Sequence, residues 1–253
     1  MLEAYIQSRL KEKEILLMTH IVIGYPAFET SLEIIGTMVA AGVDLMELQI
    51  PFSEPIADGP VILRANQQVL AQGGTTDQCM AVAGEATRRF DIPFLFMSYY
   101  NVLYKRGVAR FAREMDESDM RGAIVPDLPP EEADDYLAAM QARDLAPIFI
   151  FAPTTPAERM RRLAECGRGF IYCVARKGVT GKKTAFSDSL GAYLARCRQA
   201  TDLPLALGFG VKDKGDIDFL KGREDIAVIG TQTIRIIEDQ GVTAAGDFIR
   251  SLQ

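Results

Sequence analysis

The sequence predicts a (β/α)8 barrel, and three observations predict it. Eight short apolar runs, at residues 16–24, 45–51, 94–100, 122–128, 146–153, 170–176, 203–210 and 226–231, alternate with segments of helical length. Most of these runs are apolar at both odd and even positions, the pattern of parallel strands covered on both faces. The chain of 253 residues holds no linker, low-complexity tract or charge block. One domain over residues 1–253 is therefore expected, a length that α/β barrels routinely use. A doubly wound open sheet is the alternative. It ranks lower because its glycine-rich signature follows the first strand, whereas here the glycines gather near the end.

The elements follow in order. Residues 1–14 precede the first run, and Leu2, Ile6 and Leu10 recur at i, i+4 and i+8. An extra N-terminal helix covering the barrel floor is expected. Phe28, Leu32, Ile35 and Val39 form one helical face, and Gly42 follows as a stop. Pro129 and Pro130 with Glu131 and Glu132 give a proline start with acids in the first turn. Thr155, Pro156, Ala157 and Glu158 have the form of a capping box. Residues 213–221 and 243–252 close the helical series.

Composition narrows the function. The chain is 48% hydrophobic and 25% charged with a formal net charge of -6. An acidic balance of that kind argues against nucleic acid and against a basic membrane surface. No apolar run reaches the length of a membrane span, and a cytoplasmic protein is expected. Cys79, Cys166, Cys173 and Cys197 show no zinc spacing and read as reduced thiols. No metal site is expected.

Chemistry in a barrel collects at the C-terminal ends of the strands. Glu47 lies inside an otherwise apolar run. By strand alternation Met46, Leu48 and Ile50 face the helices, while Glu47 and Gln49 point into the barrel. A partly desolvated carboxyl there suits a proton carrier; the competing reading is a buried acid paired with a hidden cation. Asp58 follows in a Pro-rich loop, where Asp-Gly is also common turn chemistry and a helix cap. Gly208, Phe209 and Gly210 close the seventh run, and Gly230 and Thr231 close the eighth and open a helix. Loops at these two places form the recurrent barrel phosphate site. Residues 177–183, with Gly178, Thr180, Gly181 and three lysines, describe a loop able to close on a phosphate ester or a merely solvated basic loop. His20 reads as a satisfied core or pocket-wall residue in preference to a catalytic one. Asp127 reads as a cap or a pocket residue. Tyr99, Ile150, Tyr172 and Phe209 are strand-end side chains that would wall an aromatic substrate.

Residues 45–60, LMELQIPFSEPIADGP, with GVTG at 178–181, GFG at 208–210 and IGT at 229–231, resemble the tryptophan synthase alpha subunit family in order and spacing along nearly the whole chain. The resemblance implies a (β/α)8 lyase that splits indole-3-glycerol phosphate into indole and glyceraldehyde 3-phosphate. It places the family's catalytic acids on Glu47 and Asp58, and its phosphate site on Gly181, Gly210, Gly230 and Thr231. Its indole pocket falls on Tyr99, Ile150, Tyr172 and Phe209, and Thr180 falls on the loop threonine that closes over the site. It implies no cofactor in this chain. The implied partner is a β subunit carrying pyridoxal phosphate, which receives indole through a tunnel in an alpha-beta-beta-alpha assembly. Residues 51–58 are where the two subunits would communicate. Four positions depart from the family's pattern. Gln49 stands where glycine is usual and Glu54 where aspartate is. His20 takes a position usually apolar, and Pro126 one usually small. They bear on substrate fit and partner choice. They leave room for a weakly active or non-catalytic subunit that docks on and regulates a pyridoxal-phosphate synthase.

Overall fold

A computed structural model describes residues 1–174, 188–208 and 210–253. Among the described residues, nine strands lie in one parallel sheet: β1 (Leu16–Val22), β2 (Leu45–Gln49), β3 (Phe94–Met97), β4 (Gly122–Ile124), β5 (Ala146–Ile148), β6 (Ile150–Phe151), β7 (Ile171–Val174), β8 (Leu205–Gly208) and β9 (Ile226–Ile229). The ladder order is β5-β4-β3-β2-β1-β9-β8-β7-β6. Its two ends are consecutive in the chain. Only Phe149 separates β5 from β6, so one broken stave closes the ring and the expected eight-stave barrel is present. The open-sheet alternative is set aside.

Alternation sorts the strands' side chains. Leu16, Met18, Leu45, Leu95, Met97, Ile124, Ile148, Ala206 and Val228 pack together inside the ring. Leu17, Met46, Leu48, Phe94, Phe96, Leu207 and Ile229 pack outward against the helices. Each strand is thus buried on both faces, which is why its sequence lacks a polar parity.

The helices are α1 (Leu2–Arg9), α2 (Phe28–Ala40), α3 (Pro60–Ala71), α4 (Thr76–Arg89), α5 (Tyr100–Arg106), α6 (Val108–Glu117), α7 (Asp134–Gln141), α8 (Ala157–Cys166), α9 (Asp188–Ala200), α10 (Lys214–Leu220), α11 (Thr231–Gln240) and α12 (Val242–Ser251). α1 is shorter than the expected 1–14, yet it covers the floor as expected, since Leu2 and Ile6 join the interior cluster from below. Asp44, 2% exposed, ties α1 to the barrel. Its carboxylate accepts from Arg9 at 3.2 Å, Lys13 at 2.7 Å and the Leu17 N–H at 3.0 Å, so its charge is paired rather than stranded. Gly42 ends α2 at φ 93°, the left-handed conformation that glycine adopts without a Cβ penalty.

Two local readings are corrected. Thr155 makes no capping box: Pro156 occupies the N-cap of α8 and the Thr155 hydroxyl accepts from the Ala152 N–H at 3.0 Å. The proline start with Glu131 and Glu132 in the first turn is present, but it makes a 3-10 turn at Pro130–Glu132 and α7 begins only at Asp134.

Candidate active site

Both acids lie at the mouth of the barrel, at the C-terminal end of β2. Glu47 is 3% exposed and Asp58 9%. Glu47 points inward, and the β1–β2 register sets His20 directly across from it. His20 Nδ1 lies 2.9 Å from Glu47 Oε1, and the Tyr172 hydroxyl donates to the same oxygen at 3.4 Å. The expected competitor was a hidden lysine or arginine, and the group that Glu47 meets is His20 instead. His20 in turn is not a satisfied wall residue. Its Nε2 is buried without a hydrogen-bond partner among the described residues, as are Glu47 Oε2 and Gln49 Oε1. Buried polar atoms are nearly always paired in a folded protein. Three such atoms gather at this barrel mouth, where the Gln49 amide also lies close enough to the imidazole to raise its pKa.

Asp58 is not a cap. Gly59 holds the N-cap position of α3, and the Asp58 side chain turns inward. Its Oδ2 accepts from Gln49 Nε2 at 2.7 Å and from the Tyr99 hydroxyl at 3.0 Å. Burial raises the Asp58 carboxyl above its ordinary pKa and the Glu47 charge adds to that, while His20 and the Gln49 and Tyr99 hydrogen bonds pull it back. For His20 burial is again the largest influence and works to lower the pKa. The Glu47 hydrogen bond, the charges of Glu47 and Asp58, and the Gln49 amide outweigh it, and the imidazole pKa is raised. Burial pushes the Tyr99 and Tyr172 phenols far up, so both remain hydrogen-bond donors.

Tyr99, Ile150 and Tyr172 come together in the interior cluster, with Phe52 stacked on Tyr99 at 5.2 Å between ring centroids. Tyr172 is held from the next strand. A Cβ at Gly208 would collide with the Tyr172 ring. We expect Gly208→Ala to displace the ring from Glu47 and lower kcat on the order of ten- to a hundredfold, with the thermal midpoint as control for folding; an unchanged kcat would show that the ring position does not matter.

Gly230 is the N-cap of α11 and Thr231 its first residue, so the first N–H groups of that helix open at the same end of the barrel. Gly210, at φ 127°, follows β8 nearby in sequence. Thr180, Gly181 and Phe209 lie outside the described residues. Asp127 resolves as a cap: its Oδ1 accepts from the Tyr100 N–H at the start of α5 at 2.8 Å. Two contributors escape a local reading of the chain, the His20 bond to Glu47 and the Gln49 bond to Asp58. Parity was the available signal, since His20 shares its face with Leu16 and Met18.

Residues 6–250 match the family described as tryptophan synthase alpha chain. The chain belongs to that family. It is 62% identical over 253 residues to the tryptophan synthase alpha chain of Syntrophotalea carbinolica, covering all of both chains. It is also 62% identical over 252 residues to that of Desulforapulum autotrophicum, again over the whole of each. A structure of Mycobacterium tuberculosis tryptophan synthase superposes with a TM-score of 0.93 at 28% identity, covering 99% of this chain and 96% of that one. Membership of the alpha-chain family makes this a lyase of tryptophan biosynthesis, and the alternative of a merely regulatory subunit is not favoured. No helix among the described residues is long and apolar enough to cross a membrane.

Proposed function

We propose that the chain cleaves indole-3-glycerol phosphate into indole and glyceraldehyde 3-phosphate, with Glu47 as acid and base and Asp58 as the electrostatic partner. The observation that carries this reading is the pair of buried carboxyls at one barrel mouth, with Glu47 Oε2 left open among the described residues. Glu47 gives a proton to ring carbon C3. The ring's π pair forms the new C–H bond and positive charge falls on the ring nitrogen. The side-chain hydroxyl next to the ring then returns a proton to Glu47, its oxygen forms the aldehyde C=O, and the electron pair of the breaking C–C bond restores the indole ring. One proton leaves the enzyme and one comes back. Asp58 is assigned to the charged ring N–H, which an ionised carboxylate would stabilise. The Gln49 and Tyr99 donors both go to Oδ2, which leaves Oδ1 for that contact.

Gly210, Gly230, Thr231 and Gly181 are assigned to the phosphate, through bare backbone and the N-terminus of α11. Tyr99, Ile150, Tyr172 and Phe209 are assigned to the indole ring, and Thr180 to closure over the site. The partner is a β subunit that holds the pyridoxal phosphate, in an alpha-beta-beta-alpha assembly. Residues 51–58 suit its docking: Ile56 is 70% exposed, while the Ala57 N–H donates to the Tyr99 oxygen that also holds Asp58. Pressure on this loop would thus reach the acid. The test is a coupled assay for glyceraldehyde 3-phosphate from indole-3-glycerol phosphate, with and without the β subunit. Turnover that rises with the partner is expected; none in either condition would overturn the reading.

A further inference from the structure

We propose that His20 is a positioning residue and proton reservoir for Glu47, so that the proton delivered to the ring carbon is held by the two side chains as one unit. The inference rests on the cleavage reading above and adds a group to it. Three observations carry it. His20 and Glu47 are opposite each other in the β1–β2 ladder and joined at 2.9 Å. Both are 3% exposed, so no water competes freely for the contact. The second nitrogen of His20 and the second oxygen of Glu47 are both unpartnered among the described residues. The pair is therefore closed on one side and open on the other.

A bound proton has two resting places in such a pair. It sits on the imidazole, giving an ion pair, or on the carboxyl, giving two neutral groups. From the ion pair, the imidazolium proton first moves onto Glu47 through the 2.9 Å contact, leaving a neutral imidazole, and Glu47 then gives that proton to carbon and is left as a carboxylate. When the hydroxyl proton returns, it refills the pair. Atoms and charge balance over the cycle without any further acid. The groups facing His20 are Glu47 on β2, Asp58 in the loop after β2 and the Gln49 amide, with Gly230 at the start of α11 packed 3.3 Å from its Cβ by the position a side chain would take there. Two carboxylates face the imidazole, which favours holding a proton on it. That offsets the burial that would otherwise expel one.

His20 is the sole histidine of the chain, so a single imidazole signal reports it. The first experiment follows the nitrogen-15 resonances of that ring in wild type and in Glu47→Gln, without substrate. In wild type we expect titration above the ordinary histidine value, and in Glu47→Gln a fall of about one pH unit or more, because the charge that retained the proton is gone. An imidazole that titrates alike in both proteins, or stays neutral throughout in wild type, overturns the proposal. The second experiment is the pH profile of kcat for the cleavage. The reactive form carries the shared proton, so activity is lost as pH rises through the raised titration of His20. His20→Phe removes one resting place for the proton. Its alkaline limb should move to lower pH, with kcat reduced about tenfold or more and KM within a factor of about two. An unmoved limb overturns the proposal while leaving the lyase reading intact. If wild type cleaves nothing, the lyase reading falls and the resonance experiment still decides whether the pair shares a proton. Should His20→Phe fail to fold, Glu47→Gln, which keeps the ring, decides the question alone.

Discussion

Glu47→Gln should reduce kcat for cleavage of indole-3-glycerol phosphate by about 10²- to 10⁴-fold, the usual worth of a positioned acid–base group, equivalent to roughly 3–5 kcal/mol of barrier. The substitution is close to a pure chemical deletion. The amide has the shape of the carboxyl, and its oxygen can still accept from His20 Nδ1, so the 2.9 Å contact across β1 and β2 survives. The barrel interior around it is unchanged in volume, and the loss of a buried charge should not lower the thermal midpoint. What disappears is the ability to give a proton to carbon and take one from oxygen. KM should therefore move little while kcat collapses. Steady-state assays with the β subunit present decide it. A variant that keeps more than about a tenth of wild-type kcat would mean that another group moves the proton, below the range of acid–base catalysis.

The barrel was readable because parallel strands buried on both faces are apolar at every position, and eight such runs leave few topologies. The ends of the strands were not. The runs at 45–51, 94–100 and 122–128 each overshoot the ladder, and the overshooting residues are still buried: Ile50 1%, Tyr99 1% and Leu128 5% exposed. Hydrophobicity reports removal from water, and a residue can be removed from water without pairing in a ladder. The break of the fifth stave at Phe149 was hidden for the same reason, since Phe149 is buried among the outward-facing residues.

The site divides similarly. Glu47 was legible because a carboxyl in an apolar run contradicts its surroundings, and contradictions of that kind gather at functional places. Asp58 was read with its strongest local competitor, a helix cap, because Gln49 and Tyr99 are 9 and 41 residues away in sequence. The same holds for His20, whose partner is 27 residues away. A contact of that separation is fixed by sheet register, and register depends on the whole ring closing.

Glu224→Gln is the other substitution with a large expected effect, on stability rather than on chemistry. Glu224 lies between α10 and β9, 3% exposed, and neither carboxyl oxygen has a hydrogen-bond partner among the described residues. Burial pushes its pKa from 4.5 up to about 9, and Arg198 only partly opposes this. At neutral pH the folded chain therefore keeps the proton while the unfolded chain has lost it. Because the folded state binds more protons between pH 4.5 and 9, stability falls as pH rises through that window and is highest on its acid side. Each unit is worth about 1.4 kcal/mol, so near neutrality the cost is on the order of 3 kcal/mol. Glutamine fills the same space and never ionises. The two proteins should unfold within about 1 kcal/mol of each other at pH 5, with the variant ahead by on the order of 3 kcal/mol at pH 7. For a chain of this size that is roughly 6–12 °C in thermal midpoint. Urea or thermal unfolding at both pH values measures it, and a difference that does not change with pH would remove the buried proton from the account. The contrast with the barrel mouth explains the opposite outcomes. Glu47 has His20, and Asp58 has Gln49 and Tyr99, so each of those carboxyls has a side chain to hold it. Glu224 has no hydrogen bond among the described residues to hold its charge, and it folds more readily without one.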